Sequence, residues 1–200
     1  NLSSLPGSNF TIYLDFNGHT TTGTQWNNAF GTIVTPAYDT DGNVGSFSLA
    51  EIEVIQRTWL RVAEDFAPFN VNVTTAEPPV SDLIRSDDSD TRWGVRVVIG
   101  ENTWYSPAGG VAYVGSFNDN VDTPTYVFNT SLIGVSEAVT HEVGHTMGLV
   151  HDGTSLLEYY DGHGSGSTGW APVMGVGYYQ DLVQWSQGEY TDANNQEDDL

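Results

Sequence analysis

Residues 141–151 read His-Glu-Val-Gly-His-Thr-Met-Gly-Leu-Val-His, and no other stretch restricts the fold as tightly. Histidines four apart project from one helical face, so His141 and His145 can reach a common ion only if a helix carries them. Gly148 admits backbone angles closed to other residues, so the helix can stop there and the chain can bend. That bend brings His151 back as a third ligand. Three protein ligands leave a fourth position open, the pattern of a catalytic zinc site rather than a structural one. Glu142 lies beside the pair, where its carboxylate can take a proton from the water that such an ion activates. From average residue usage, the full pattern arises by chance in about one chain in 10⁵ of this size. Three of the five histidines fall inside it, which composition alone does not explain.

A length of 200 residues suits one domain, 1–200, with two lobes around a cleft: an upper lobe of about 1–148 and a lower lobe of about 149–200. Hydrophobic residues make up 38% of the chain, enough for a real core. No apolar run approaches the ~18 residues that span a bilayer. Acidic residues number 26 against five basic ones, all arginine, for a net charge of −21. Nucleic acid and anionic membranes are therefore excluded as partners, because binding phosphate needs basic patches. The same acidity supplies oxygen ligands for calcium. Cysteine is absent, so disulfides and thiolate metal sites are ruled out. The expectation is a secreted, monomeric catalytic domain that starts at Asn1 without a signal peptide and is stiffened by calcium. Any inhibitory N-terminal prosegment lies outside this chain.

Residues 10–16 alternate as a strand. Ser48 and Glu51 form a capping box, and Ile52, Ile55, Trp59, Val62 and Phe66 make one apolar stripe on a helix ending before Pro68. Val71 and Val73 predict a strand, as do Val95, Val97 and Ile99; further strands are expected over 111–117 and 124–129. The motif helix is expected over about 134–148, with Ser131 or Ser136 as its N-cap. Residues 152–180 offer little helical period, a length of irregular chain that in a compact domain points to function. A last helical segment is expected within 181–200. Asp39, Asp41 and Asn43, at alternating positions, are the candidate calcium ligands, with Val44 where an EF-hand has glycine. His19 and His163 are read as surface or hydrogen-bonded histidines.

The extended motif, the following Asp152, and Met174 within Ala171-Pro172-Val173-Met174-Gly175 together resemble the metzincin clan of zinc metalloproteases. Asp152 after the third histidine is similar to the reprolysin-like (adamalysin-like) branch, and flanking segments such as 62–71 and 169–179 resemble its bacterial secreted members. The resemblance implies an α+β fold with a twisted mixed sheet of about five strands, an antiparallel edge strand and a smaller irregular C-terminal subdomain. It implies that Met174 forms a Met-turn, an apolar floor beneath the metal. Val176 stands where the astacin and serralysin branches carry a metal-reaching tyrosine, with Tyr178 and Tyr179 just beyond. The activity implied is zinc-dependent endopeptidase action on extracellular proteins, with Glu142 as general base. Peptide substrate would add as a strand along a sheet edge, and Gly110, Val111 and Ala112 are the candidates, because glycine permits close backbone approach. The alternative is a zinc-binding adhesion module with a vestigial site; retention of Glu142 argues against it.

Overall fold

The computed structural model describes all residues, Asn1–Leu200. A five-stranded sheet forms its centre: β1 (Phe10–Asp15), β4 (Val71–Thr74), β5 (Trp93–Ile99), β6 (Gly110–Val111) and β7 (Thr125–Val127) lie in the order β4-β1-β5-β7-β6. Its pairs are parallel except the last, where β6 runs antiparallel to β7 at the edge. This is the α+β sheet with an antiparallel edge that the resemblance implied.

Strand alternation sorts the side chains onto two faces. Ile12 and Leu14 of β1 and Val95, Val97 and Ile99 of β5 face two helices, α2 (Leu49–Asp65) and α3 (Leu132–Met147). Val62, Phe66, Val135, Ala138, Val139 and Val143 of those helices and their termini complete the main core. Each such side chain removed from water contributes roughly 1.5–3 kcal/mol. The opposite face, with Val98 and Tyr126, is covered by β2 (His19–Thr21), α1 (Trp26–Phe30) and β3 (Ile33–Thr35), where Trp26 and Ile33 form a smaller core.

Local signals place the helix ends. Ser48 and Glu51 form the reciprocal capping box in front of α2, although Ile52 of the stripe sits at the rim, 38% exposed. Ser131, not Ser136, caps α3, its Oγ accepting from Gly134 N. No helix is long and apolar enough to cross a membrane.

Two expectations are corrected. Of the strand expected over 111–117, only Gly110–Val111 pairs, and Ser116–Asn118 turns as a 3₁₀ segment, since Gly115 with φ of 78° cannot continue a strand. The segment 181–200 holds no helix. Leu182–Gln184 is instead strand β9, parallel to β8 (Trp170–Pro172). β2, α1 and β3 emerge from a Gly/Thr/Asn-rich stretch whose sequence carries no period.

Candidate metal centre

α3 ends in a Schellman motif. Gly148, with φ of 112°, closes it, Leu149 N donating to Gly144 O and Gly148 N to His145 O. The chain then doubles back, and the ring of His151 lies 4.7 Å from that of His145 and 5.4 Å from that of His141. One ring nitrogen from each of the three lies within 4.8 Å of those of the others. The structure thus brings together all three histidines that the motif names.

Their tautomers follow from their neighbours. His141 Nδ1 is 2.9 Å from Val173 O, and His145 Nδ1 is 2.8 Å from Leu149 O. A carbonyl only accepts, so both Nδ1 atoms carry hydrogen and both Nε2 atoms of the neutral rings are lone pairs. His151 Nδ1 is held by Glu158 Oε1 at 3.1 Å. The Nε2 atoms of His145 and His151 then face each other at 3.0 Å, an arrangement that calls for a cation between them. Zinc–nitrogen bonds of about 2.0–2.1 Å in tetrahedral array set such nitrogens roughly 3.3 Å apart, so the donor set fits zinc. Burial first, then the neighbouring rings, drives His141 down to about 3. Burial likewise lowers His145 and His151. All three are therefore neutral at physiological pH, as ligation requires.

Glu142 is 7% exposed, and burial pushes its carboxyl up to about 8. Gly110 explains its placement. A Cβ on that residue would lie 2.7 Å from Glu142 Oε1 and 2.8 Å from Tyr126 O. The sheet edge therefore passes directly against the carboxylate, and glycine there is a steric requirement. Beside them opens a cavity of about 290 Å³ between Gly109–Gly110, Ala138, His141, Glu142 and the 173–178 segment. Val111 belongs to the edge strand with Gly110, whereas Ala112 lies just past its end.

Met174 is fully enclosed. Its sulfur sits where a Cβ on Gly144 would stand, at 2.6 Å, so it packs against the helix turn between His141 and His145. Val173, its neighbour, supplies the carbonyl that holds His141. Asp152 is buried and ties the two segments, its N–H donating to Met174 O at 2.9 Å.

Sequence reasoning did not single out Tyr159, and it noted Tyr178 only as lying beyond Val176. The Tyr159 ring lies 4.2 Å from that of His151, and Tyr178 lines the same cavity with its hydroxyl 3.3 Å from Asn129 Nδ2. The calcium candidates divide. Asp39 and Asp41 gather with Glu51, not with Asn43, whose side chain bonds Ser46 and Gly45 N. Asp39 Oδ1 accepts backbone N–H groups from residues 41, 42 and 43. Glu51 accepts from Ser48 and Thr40, which hold it down at about 2. Asp39 Oδ1, Asp41 Oδ1 and both Glu51 oxygens are thus engaged within the loop, while Asp39 Oδ2 and Asp41 Oδ2 carry no hydrogen bond. His19 and His163 stand apart from the triad, beside Asp15 and Tyr160 respectively.

Residues 63–152 match the family model described as metallo-peptidase family M12B, reprolysin-like. The match runs from within α2 through the third histidine and Asp152, and stops short of Met174. No curated protein matches the chain. Two solved structures of myroilysin are similar to it. One is 18% identical, covering 74% of this chain and 46% of that one at a TM-score of 0.35. The other is 16% identical, covering 75% of this chain and 55% of that one at a TM-score of 0.33. The chain spans about half the length of these proteins.

Proposed function

We propose that the protein is a zinc-dependent endopeptidase of the metzincin type that hydrolyses peptide bonds of extracellular proteins. The observation that carries this reading is the convergence of three neutral, oriented imidazoles beside a buried carboxylate at an open sheet edge. His141, His145 and His151 hold the ion. A zinc ion there supplies Lewis-acid polarisation of a water and of the scissile carbonyl. Val173, Leu149 and Glu158 fix the ring orientations from behind, the supporting contacts that metal-binding histidines need. Glu142 takes the proton of the attacking water and returns it to the leaving amine. Its apolar surroundings exclude bulk water and raise its basicity to suit that exchange. Met174 serves as the apolar floor of a Met-turn.

The substrate backbone adds along β6, pairing with Gly110, Val111 and Ala112, and the side chain after the cut enters the cavity bounded by residues 173–178. The chain acts as one secreted, monomeric domain, with the sheet half and residues 149–200 forming the cleft between them. Cleavage of a denatured-protein library, by wild type and by Glu142→Ala, each with and without chelator, tests this. Wild type should cleave and lose activity with chelator, and Glu142→Ala should lose about 10²–10⁴ in rate while keeping its zinc. Zinc-loaded wild type that cleaves nothing would support the binding-module alternative; Glu142→Ala cleaving as wild type would remove that residue as base.

A further inference from the structure

Glu137 stands four residues before His141 on α3. The two side chains therefore leave one face of the helix a single turn apart, about 6 Å along its axis. Glu137 is a wall of the same 290 Å³ cavity that His141 and Glu142 line. Its side chain is 12% exposed, and its two oxygens are used differently. Oε1 accepts from Arg61 Nη2 at 2.6 Å, and Arg61 lines a separate cavity between α2 and residues 181–185. Oε2 makes no hydrogen bond and is not sealed from solvent. It lies against Gly177 of the 173–178 wall, where a Cβ would stand 3.2 Å from it. The lack of a side chain there keeps this oxygen open to the cavity.

The remaining walls include Ala138, Val173, Val176 and the rings of Tyr159 and Tyr178, and no arginine is among them. The space thus has an apolar and aromatic body with one free carboxylate oxygen a helical turn from the metal ligand His141. A carboxylate in such surroundings favours a cation beside it. A side chain with an aliphatic stem and a cationic head matches both parts of the cavity. Lysine matches it better than arginine. The planar fork of arginine grips a carboxylate through two oxygens, and Oε1 is already taken by Arg61. A compact ammonium needs only one oxygen. The chain's own composition agrees, since its 200 residues include no lysine. An endopeptidase that cuts before lysine and carries none has no preferred site within itself.

On the peptidase reading above, we propose that this cavity selects lysine as the residue following the scissile bond. Glu137 binds the ammonium through Oε2, and Tyr159 and Tyr178 flank the stem.

The test uses peptides identical except at that residue, which is lysine, arginine, leucine or glutamate. Binding is read by calorimetry on the zinc-loaded Glu142→Ala chain, and cleavage by kcat/KM on wild type. The lysine peptide should bind about tenfold or more tighter than the leucine one, with arginine between them and glutamate weakest. The kcat/KM values should follow the same order. Adding Glu137→Gln keeps an acceptor for Arg61 and should erase the lysine preference. The proposal is overturned if the leucine or arginine peptide binds as tightly as the lysine peptide, or if Glu137→Gln leaves the order unchanged. The four-peptide series with Glu137 intact decides the matter even if that variant misfolds. Lysine-selective binding without any cleavage by wild type would remove the peptidase reading and leave the cavity's selectivity standing. Cleavage without a lysine preference would remove this proposal alone.

Discussion

The central sheet and the C-terminal tail both bury carboxylates, but only the sheet answers them with a cation from the chain. In the sheet, Arg96 of β5 is 2% exposed and reaches Asp15 of β1 at 2.7 Å and Asp122 at 3.0 Å, while its guanidinium lies over the Tyr13 ring. One protein cation there answers two carboxylates, Asp15 on a paired strand and Asp122 on the loop before β7. In the tail, Asp152 (2% exposed) and Asp199 (7% exposed) are also buried and have no cation from the chain. Registered strands can hold an arginine's planar fork against a carboxylate. An irregular tail held by side-chain hydrogen bonds offers no such rigid frame. The metal centre lies where the two regions meet, two histidines coming from the ordered side and the third from the irregular one.

The largest effect expected from breaking this contrast lies in the sheet. Arg96→Met strands Asp15 and Asp122 and should cost about 3–5 kcal/mol in chemical denaturation; a loss below about 1 kcal/mol would mean that the sheet does not depend on its internal cation. Next comes the seam. Gly144→Ala drives a methyl into the Met174 sulfur and should cost about 1–3 kcal/mol as overpacking, with weaker zinc retention in a chelator competition. Unchanged zinc affinity would show that Met174 does not support the ligand helix.

The smallest effect distinguishes the halves by pH. Burial, with Glu197, Asp198 and Glu189 reinforcing it, raises Asp199 to about 6, while its Ser186 contact pulls the other way. A carboxyl whose folded pKa exceeds its unfolded value near 3.9 contributes stability that is present at low pH and is lost as pH rises through the folded value. Exchange in 186–199 should therefore speed up between about pH 4 and 6 beyond its intrinsic rise, and 93–99 should not follow. Asp199→Asn should flatten that dependence; an equal response in both segments would remove the distinction.

What the sequence determined by itself was local or periodic. The Ser48–Glu51 box, the stripe through Val62 and Phe66, the alternation of β1 and β5 and the His141–His145 spacing are short-range patterns. Each follows from a helical or strand repeat, and Gly148 needed only its own backbone freedom to stop α3. These patterns made the candidate zinc ligands, Glu142 and the α+β frame legible. Tertiary structure alone decided the rest. Gly110 touches Glu142 because β6 happens to be the sheet's edge, Tyr159 covers His151, Glu51 rather than Asn43 joins Asp39 and Asp41, and Asp199 returns to the neighbourhood of Asp152. These contacts join residues far apart in the chain or on segments without a repeat, and their pairing depends on how whole elements pack. Charge composition announced that carboxylates outnumber cations. Only the folded arrangement assigns Arg96 to the sheet and leaves Asp152 and Asp199 without a cation from the chain.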